Sequence, residues 1–147
     1  MTIGVGGVAP RDRGSALVEF ALVLPFLCVI LFGAIDFGRV SYHAMALTNA
    51  ARAGAQYGAQ SIGKSSDVAG MRAAALSSAA GDIGSVTATA SQRCECDGTL
   101  IACTATCSGA RRIYVTVTTS KNFSTLTRFP GYPNSLSVTR SAVIRAQ

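Results

Sequence analysis

From Ser15 to Ile35 the chain reads SALVEFALVLPFLCVILFGAI, 21 residues that hold a single charge, Glu19. As a helix this run is about 30 Å long, the thickness of a bilayer's hydrocarbon core. A secretory signal peptide carries a shorter apolar stretch, about 7 to 15 residues, and then a small-residue cleavage site of A-x-A type. No such site directly follows Ile35. Helix-forming composition continues through DFGRVSYHAMALTNAARAGAQYGA, with apolar or small residues at Phe37, Val40, Ala44, Leu47, Ala51 and Ala55. The expectation is one long helix in which residues 15–35 span a membrane and residues 36–60 continue outside it. Arg11 and Arg13 precede the span on a short tail, so the positive-inside rule holds the N-terminus in the cytoplasm, against some dilution from Arg39 and Arg52 on the far side. Residues 61–147 then form an external domain.

That domain changes its alphabet partway. Ile62 to Ser66 reads as a turn, and Asp67 to Ala80 carries Val68, Met71, Ala75, Leu76 and Ala79 at helical spacing before Gly81, a second, short amphipathic helix. From Ile83 onward Val, Thr, Ile and Tyr dominate. Apolar residues two apart at Val86/Ala88/Ala90, Ile113/Val115/Val117, and Leu136/Val138 with Ala142/Ile144 predict three half-buried strands. Their separators are a Cys-containing loop, residues 94–107, and a Pro/Gly/Asn loop from Phe129 to Asn134. The fold class is α+β, a three-stranded antiparallel sheet laid on the long helix. With 147 residues there is room for one such domain and no large multidomain enzyme.

The residues that usually carry catalysis are scarce: one His and seven carboxylates. The net charge of +6 is scattered, densest at Arg111-Arg112, and no basic stripe interleaved with aromatics supports nucleic-acid binding. Gly58-Ala-Gln-Ser-Ile-Gly63-Lys64-Ser65 matches the P-loop pattern in full, yet a P-loop follows a buried strand and this segment follows an Ala-rich helix, with no strand ending in Asp after it. A Gly/Ser turn between helices explains it better, and a nucleotide-binding enzyme remains a remote alternative. Gly4-Val-Gly6-Gly-Val-Ala9 matches the dinucleotide fingerprint but lacks a preceding strand and reads as a flexible leader. His43 has no Cys or carboxylate at ligand spacing, so it reads as an ordinary surface residue. No cofactor, metal or catalytic residue is expected.

The junction Arg11-Asp12-Arg13-Gly14-Ser15-Ala16-Leu17-Val18-Glu19-Phe20 is more specific. An ionised group inside a span costs about 2.5 to 3.5 kcal/mol at the centre and less near the interface, which makes Glu19 a functional candidate by default. Its bland reading is a first-turn Glu stabilised by the helix dipole, worth about 0.3 to 1 kcal/mol. With Ser15 as N-cap, a capping box would need the Glu at position 18, which is Val18. A cut after Gly14 would instead create an amine on Ser15 within reach of Glu19 or of a neighbour's Glu.

Gly14 followed by SALVEF resembles prepilin processing sites, in which a peptidase cuts after Gly and Glu is the fifth mature residue. The continuation is similar to the TadE-like pseudopilins of bacterial tight-adherence (Flp) pilus systems, in Glu19-Phe20, Leu24-Pro25, Gly33-Ala-Ile-Asp36-Phe-Gly38-Arg39 and Asn49-Ala-Ala-Arg52-Ala-Gly54-Ala. About 45 residues carry the resemblance strongly; the ending Ser137 to Arg145 carries it loosely. Phe20 stands where major Flp pilins have Tyr, and the body is longer than theirs, both of which argue for a minor subunit. The resemblance implies a pilin-like, non-enzymatic component of the inner membrane. Residues 1–14 would be removed by a prepilin peptidase acting between Gly14 and Ser15, and Glu19 would serve assembly. The implied partners are other pilins and pseudopilins, the assembly platform and the lipid bilayer. The competing reading is an uncleaved, membrane-anchored binding module or adhesin.

Two further patterns stand apart from the resemblance. Ala46, Ala50, Gly54 and Gly58 form a ridge of small residues at i, i+4 spacing, suited to close approach of another backbone, the chain's own sheet being favoured over a neighbour's helix. Cys94, Cys96, Cys103 and Cys107, spaced C-x-C-x6-C-x3-C, suit two disulfides in an oxidising compartment better than zinc, whose knuckles use C-x2-4-C. Pairing Cys94 with Cys96 would strain a three-residue loop. Of the two remaining connectivities the nested one, Cys94 to Cys107 and Cys96 to Cys103, suits a hairpin whose strands rejoin at Ala110. Cys28, inside the span, is expected to stay a packing thiol.

Overall fold

The computed structural model describes residues 14–79, 83–126 and 134–146. Ala, Leu and other residues without β-branching dominate Ser15 to Ala59, and these 45 residues form one uninterrupted helix, α1, Ser15–Ala59. At 1.5 Å per residue it is about 68 Å long. Its two halves meet different surroundings. Between Leu17 and Ile35 the large apolar side chains all point away from the rest of the protein, Leu17 at 70% and Phe26 at 73% exposure. An 18-residue window there has mean hydropathy 2.5 and none of it is buried by the chain, so the helix is long and apolar enough to cross a membrane. From Leu47 on, one stripe is fully buried: Leu47, Ala50, Ala51, Gly54, Ala55 and Gly58 recur at helical spacing and turn inward together.

Two short helices follow, α2 (Ile62–Ser65) and α3 (Val68–Ala79), and then strands β1 (Thr87–Cys96), β2 (Thr99–Ile101), β3 (Arg111–Ser124) and β4 (Ser135–Arg145). All strand pairs are antiparallel, in the order β2-β1-β3-β4. The expected sheet on a helix is present, but it has four strands rather than three. The extra strand, β2, pairs with the end of β1 (Cys94 with Ile101, Cys96 with Thr99) across a tight turn at Asp97-Gly98. Both turn residues have positive φ, 48° and 84°, as the Asp-Gly hairpin turn requires. Gly81, the Phe129–Pro133 part of the Pro/Gly/Asn loop, the basic flank Arg11/Arg13 and the Gly4–Ala9 segment lie outside the described residues.

The core is a sandwich of α1 and α3 against one face of the sheet. Leu47, Ala50, Ala79, Ile83, Phe123 and Val138 form its part nearest the apolar half of α1, and Ala55, Met71, Ala75, Ala88, Val115 and Val117 its middle. The buried Thr119 hydroxyl donates to the Leu47 carbonyl at 2.9 Å, tying the sheet centre to the helix backbone. The small ridge is buried against the chain itself, but α3 comes closer to it than the sheet does. A Cβ on Gly54 would stand 2.6 Å from the Met71 carbonyl oxygen, 3.0 Å from the Ala75 Cβ and 3.1 Å from Val117.

Gly54→Ala is therefore expected to destabilise the folded protein by about 1 to 3 kcal/mol, the usual cost of overpacking. Gly33→Ala, where a Cβ meets nothing within 4 Å, should leave it unchanged. Chemical unfolding of the detergent-solubilised chain, followed by circular dichroism, measures both.

Candidate functional site

Three places collect the polar residues that could serve a function. The first is the start of α1. Gly14 precedes the helix in an ordinary right-handed conformation (φ −91°, ψ −28°) with no side-chain cap, and space around it is open. Nothing in the fold requires glycine there. Ser15 Oγ donates to Glu19 Oε1 at 3.3 Å across one helical turn, on an exposed surface. Glu19 stands among exposed apolar side chains, Val18, Phe20, Leu22 and Val23.

The second lies just past the apolar run, where α1 meets the end of β3. Asp36 pairs with Arg39 at 3.5 Å and accepts a bond from the Leu126 backbone N–H at 3.2 Å. Arg39 lies over the Phe123 ring, 5.0 Å from its centroid, and the His43 imidazole packs on the same ring at 5.4 Å. His43 is thus half-buried rather than the surface residue its isolation in sequence suggested. Burial, with Lys121 and then Arg39 nearby, holds its pKa below the ordinary imidazole value. Its Nδ1 is buried without a hydrogen-bond partner among the described residues. No group of three or more His, Cys, Asp or Glu able to hold a metal occurs among the described residues.

The third is the end of the sheet beyond α1. Here the P-loop-like residues are engaged in structural bonds. Ser61 Oγ accepts the Lys64 N–H and caps the four-residue α2. Lys64 Nζ bonds Gln60 and sits 4.8 Å over the Tyr57 ring. Ser65 Oγ donates to the Ile62 carbonyl and accepts from Gln92 at 2.8 Å. The segment is a turn between helices, with no strand before it. Next to it, Asp67 caps α3 by accepting the Gly70 N–H at 2.8 Å and the Tyr57 hydroxyl at 2.9 Å. Those two bonds, the backbone one first, lower the Asp67 pKa, and the Asp67 carboxylate raises that of Tyr57.

The four clustered cysteines form two disulfides, Cys94–Cys103 and Cys96–Cys107. This crossed pairing corrects the nested one, and β2 is the reason. The Asp97-Gly98 turn sends the chain back beside β1, so that after Ile101 it arrives near Cys94. It must then cross to the other side of β1 to begin β3, where Arg111 pairs with Cys96, and it passes Cys96 on the way. The crossing segment covers a third core cluster of Cys94, Ile113 and Ala146, flanked by Ile101 and Cys103, beyond the end of α1. Asp97 fixes its return by accepting the Ala110 N–H at 2.9 Å. Cys28 is a free, half-buried thiol.

Fold and site together define a protein with one long apolar anchor helix and a small disulfide-stapled α+β head. Residues 14–56 match the family model of TadE-like proteins, a match that begins at Gly14 and runs to within three residues of the end of α1. That segment of the chain is TadE-like. The sheet and its disulfides lie outside the matched segment. No curated protein and no solved structure matches the chain.

Two outcomes follow for the head. Non-reducing peptide mapping should recover Cys94 linked to Cys103 and Cys96 linked to Cys107, and replacing either pair by Ala should cost about 2 to 3 kcal/mol for loops of this length. The stability of the folded chain should also fall as pH drops through the ordinary imidazole range, about 6.5, because the unfolded His43 accepts a proton that the folded one resists. Since His43 is the sole histidine, His43→Gln should flatten that part of a pH–stability curve.

Proposed function

We propose that this chain is a pseudopilin or minor pilin, a structural component of a tight-adherence pilus assembly or secretion system. The observation that carries the reading is a coincidence at one point. The TadE-like match begins at Gly14, a glycine that no described neighbour requires, and five residues later the apolar run 15–35 carries its single carboxylate.

On this reading a prepilin peptidase at the cytoplasmic face removes residues 1–14. The glycine leaves the scissile bond open to the enzyme while the helix behind it stays embedded. The new Ser15 amine lies within a turn of Glu19, and pairing between such amines and carboxylates of neighbouring subunits offsets the cost of a charge in lipid. Residues 15–35 span the inner membrane with the N-terminus inside, and residues 61–147 lie in the periplasm, where an oxidising environment suits the two disulfides. The work is assembly, through contacts with other pilins, pseudopilins and the platform, and no reaction is assigned to it.

N-terminal sequencing of the protein recovered from cells with an active prepilin peptidase should begin at Ser15, and Gly14→Leu should leave the longer precursor. A mature chain that keeps residues 1–14 would instead make it an uncleaved membrane-anchored binding module. Glu19→Val should insert into the membrane at least as well as the parent yet fail to support pili; normal piliation would reduce Glu19 to a helix-dipole residue.

A further inference from the structure

The two long edges of the sheet are treated differently. The β1 edge is covered in part: β2 pairs with Cys94 to Cys96, and Arg72 of α3 reaches across to donate its Nε–H to the outward Ala88 carbonyl at 3.0 Å. The β4 edge runs for 11 residues, SLSVTRSAVIR, and pairs with β3 in unbroken register from Ser124↔Ser135 to Tyr114↔Arg145, with no proline and no bulge. Such an edge presents a row of backbone donors and acceptors ready to pair with another strand, and proteins usually blunt it.

The ladder identifies which groups are presented. Ala146 N–H donates to the Ile113 carbonyl at 2.8 Å, so in this antiparallel pair the even-numbered β4 residues bond β3. Ser137, Thr139, Ser141 and Val143 therefore turn their N–H and C=O outward. The even residues face α1, and one of them is Arg140, opposite the buried Thr119. Beside this edge runs a groove of about 370 Å³ between β4 and α1, lined by Met45, Asn49 and Arg52 of the helix and by Arg140. Neither arginine has a carboxylate partner among the described residues. Arg140 spends one N–H on the neighbouring Thr139 carbonyl.

We propose that the β4 edge is a docking site for an extended, acidic strand contributed by a different protein. The incoming strand pairs with the outward groups of Ser141 and Val143 and with the Thr139 N–H, the Thr139 carbonyl being held by Arg140. Its residue directly across from Arg140 falls in a non-hydrogen-bonded position, with Cβ atoms about 4.5 to 5.5 Å apart and both side chains on the helix side. A Glu or Asp there enters the groove between Arg140 and Arg52, where a guanidinium can hold a carboxylate. A second copy of the chain is disfavoured as the occupant. β4 carries arginines and no acid, and the described strand acid Glu95 lies in β1, inside the sheet. The inference does not depend on processing at Gly14.

The test uses the full-length chain in detergent micelles with fluorescent nine-residue peptides of alternating Thr and Val that carry Glu, Gln or Lys at the centre. The Glu peptide should bind roughly tenfold more tightly than the Gln peptide, the scale of a charge-assisted hydrogen bond, and the Lys peptide should bind least. Binding should slow amide hydrogen exchange at Thr139, Ser141 and Val143. Arg140→Glu and Arg52→Glu should each shift the preference toward the Lys peptide. Ser141→Pro removes only an outward N–H, which an edge strand tolerates, and should abolish binding. Failure of all three peptides to bind, equal binding of all three, or binding without protection of those amides would overturn the proposal. Protection that rises with protein concentration in the absence of peptide would overturn it in favour of self-pairing.

Discussion

One helix carries two different surfaces. In its first half α1 is apolar around its whole circumference and the chain covers none of it, a surface that only lipid or another apolar helix can match. In its second half the apolar residues narrow to the stripe from Leu47 to Gly58, and Met45, Asn49, Arg52 and Gln56 face outward. Because the helix is continuous across the change, the sheet that covers the stripe has its position along the axis set by where the stripe begins. Asp36, Arg39, His43 and Phe123 meet at that boundary. They supply the polar groups where the uncovered apolar surface gives way to the protein core.

The stripe is built from small residues, and this shapes the rest of the head. Ala50, Ala51, Gly54 and Ala55 let α3 and the sheet approach the helix backbone closely, but they bury little apolar area each. A lean core of this kind needs fasteners, as small domains generally do. Thr119 bonds the helix backbone at the centre of the sheet, Asp67 holds Tyr57 and the start of α3 together, and Arg72 ties α3 to the β1 edge at Ala88. The two disulfides act where α1 has ended, so that a crossed loop helps cover that end of the sheet.

Much of this was legible in the sequence because it rests on local pattern. The long helix, α3, and β1, β3 and β4 follow from spacing of apolar residues within each segment. β2 did not, since three residues are too few to show a period, although Asp97-Gly98 was the signal for a tight hairpin inside what read as one cysteine loop. Missing that hairpin also inverted the disulfide preference, because connectivity follows from chain path. The setting of His43 depends on Phe123, eighty residues away, and the meeting of Arg52 with Arg140 depends on register; neither is written in local pattern. Glu19 is the reverse case. It stood out in sequence as the single charge of the apolar run, whereas among the described residues its hydrogen bond is to the Ser15 hydroxyl one turn away.

The central claim, a single helix that passes from lipid into the core of an external domain, can be measured directly. Spin labels placed one at a time from Phe26 to Ala55, in chain reconstituted into vesicles, report collision with lipid-soluble oxygen and with a water-soluble nickel chelate. Oxygen access should dominate at every position through Ile35. Beyond Val40 a period of about 3.6 residues should appear, with labels at Met45, Asn49 and Arg52 open to nickel and those at Leu47, Ala51 and Ala55 shielded from both. Nickel access at successive positions between Asp36 and Val40 would mark a break in the helix and contradict the claim, as would nickel access throughout the apolar half.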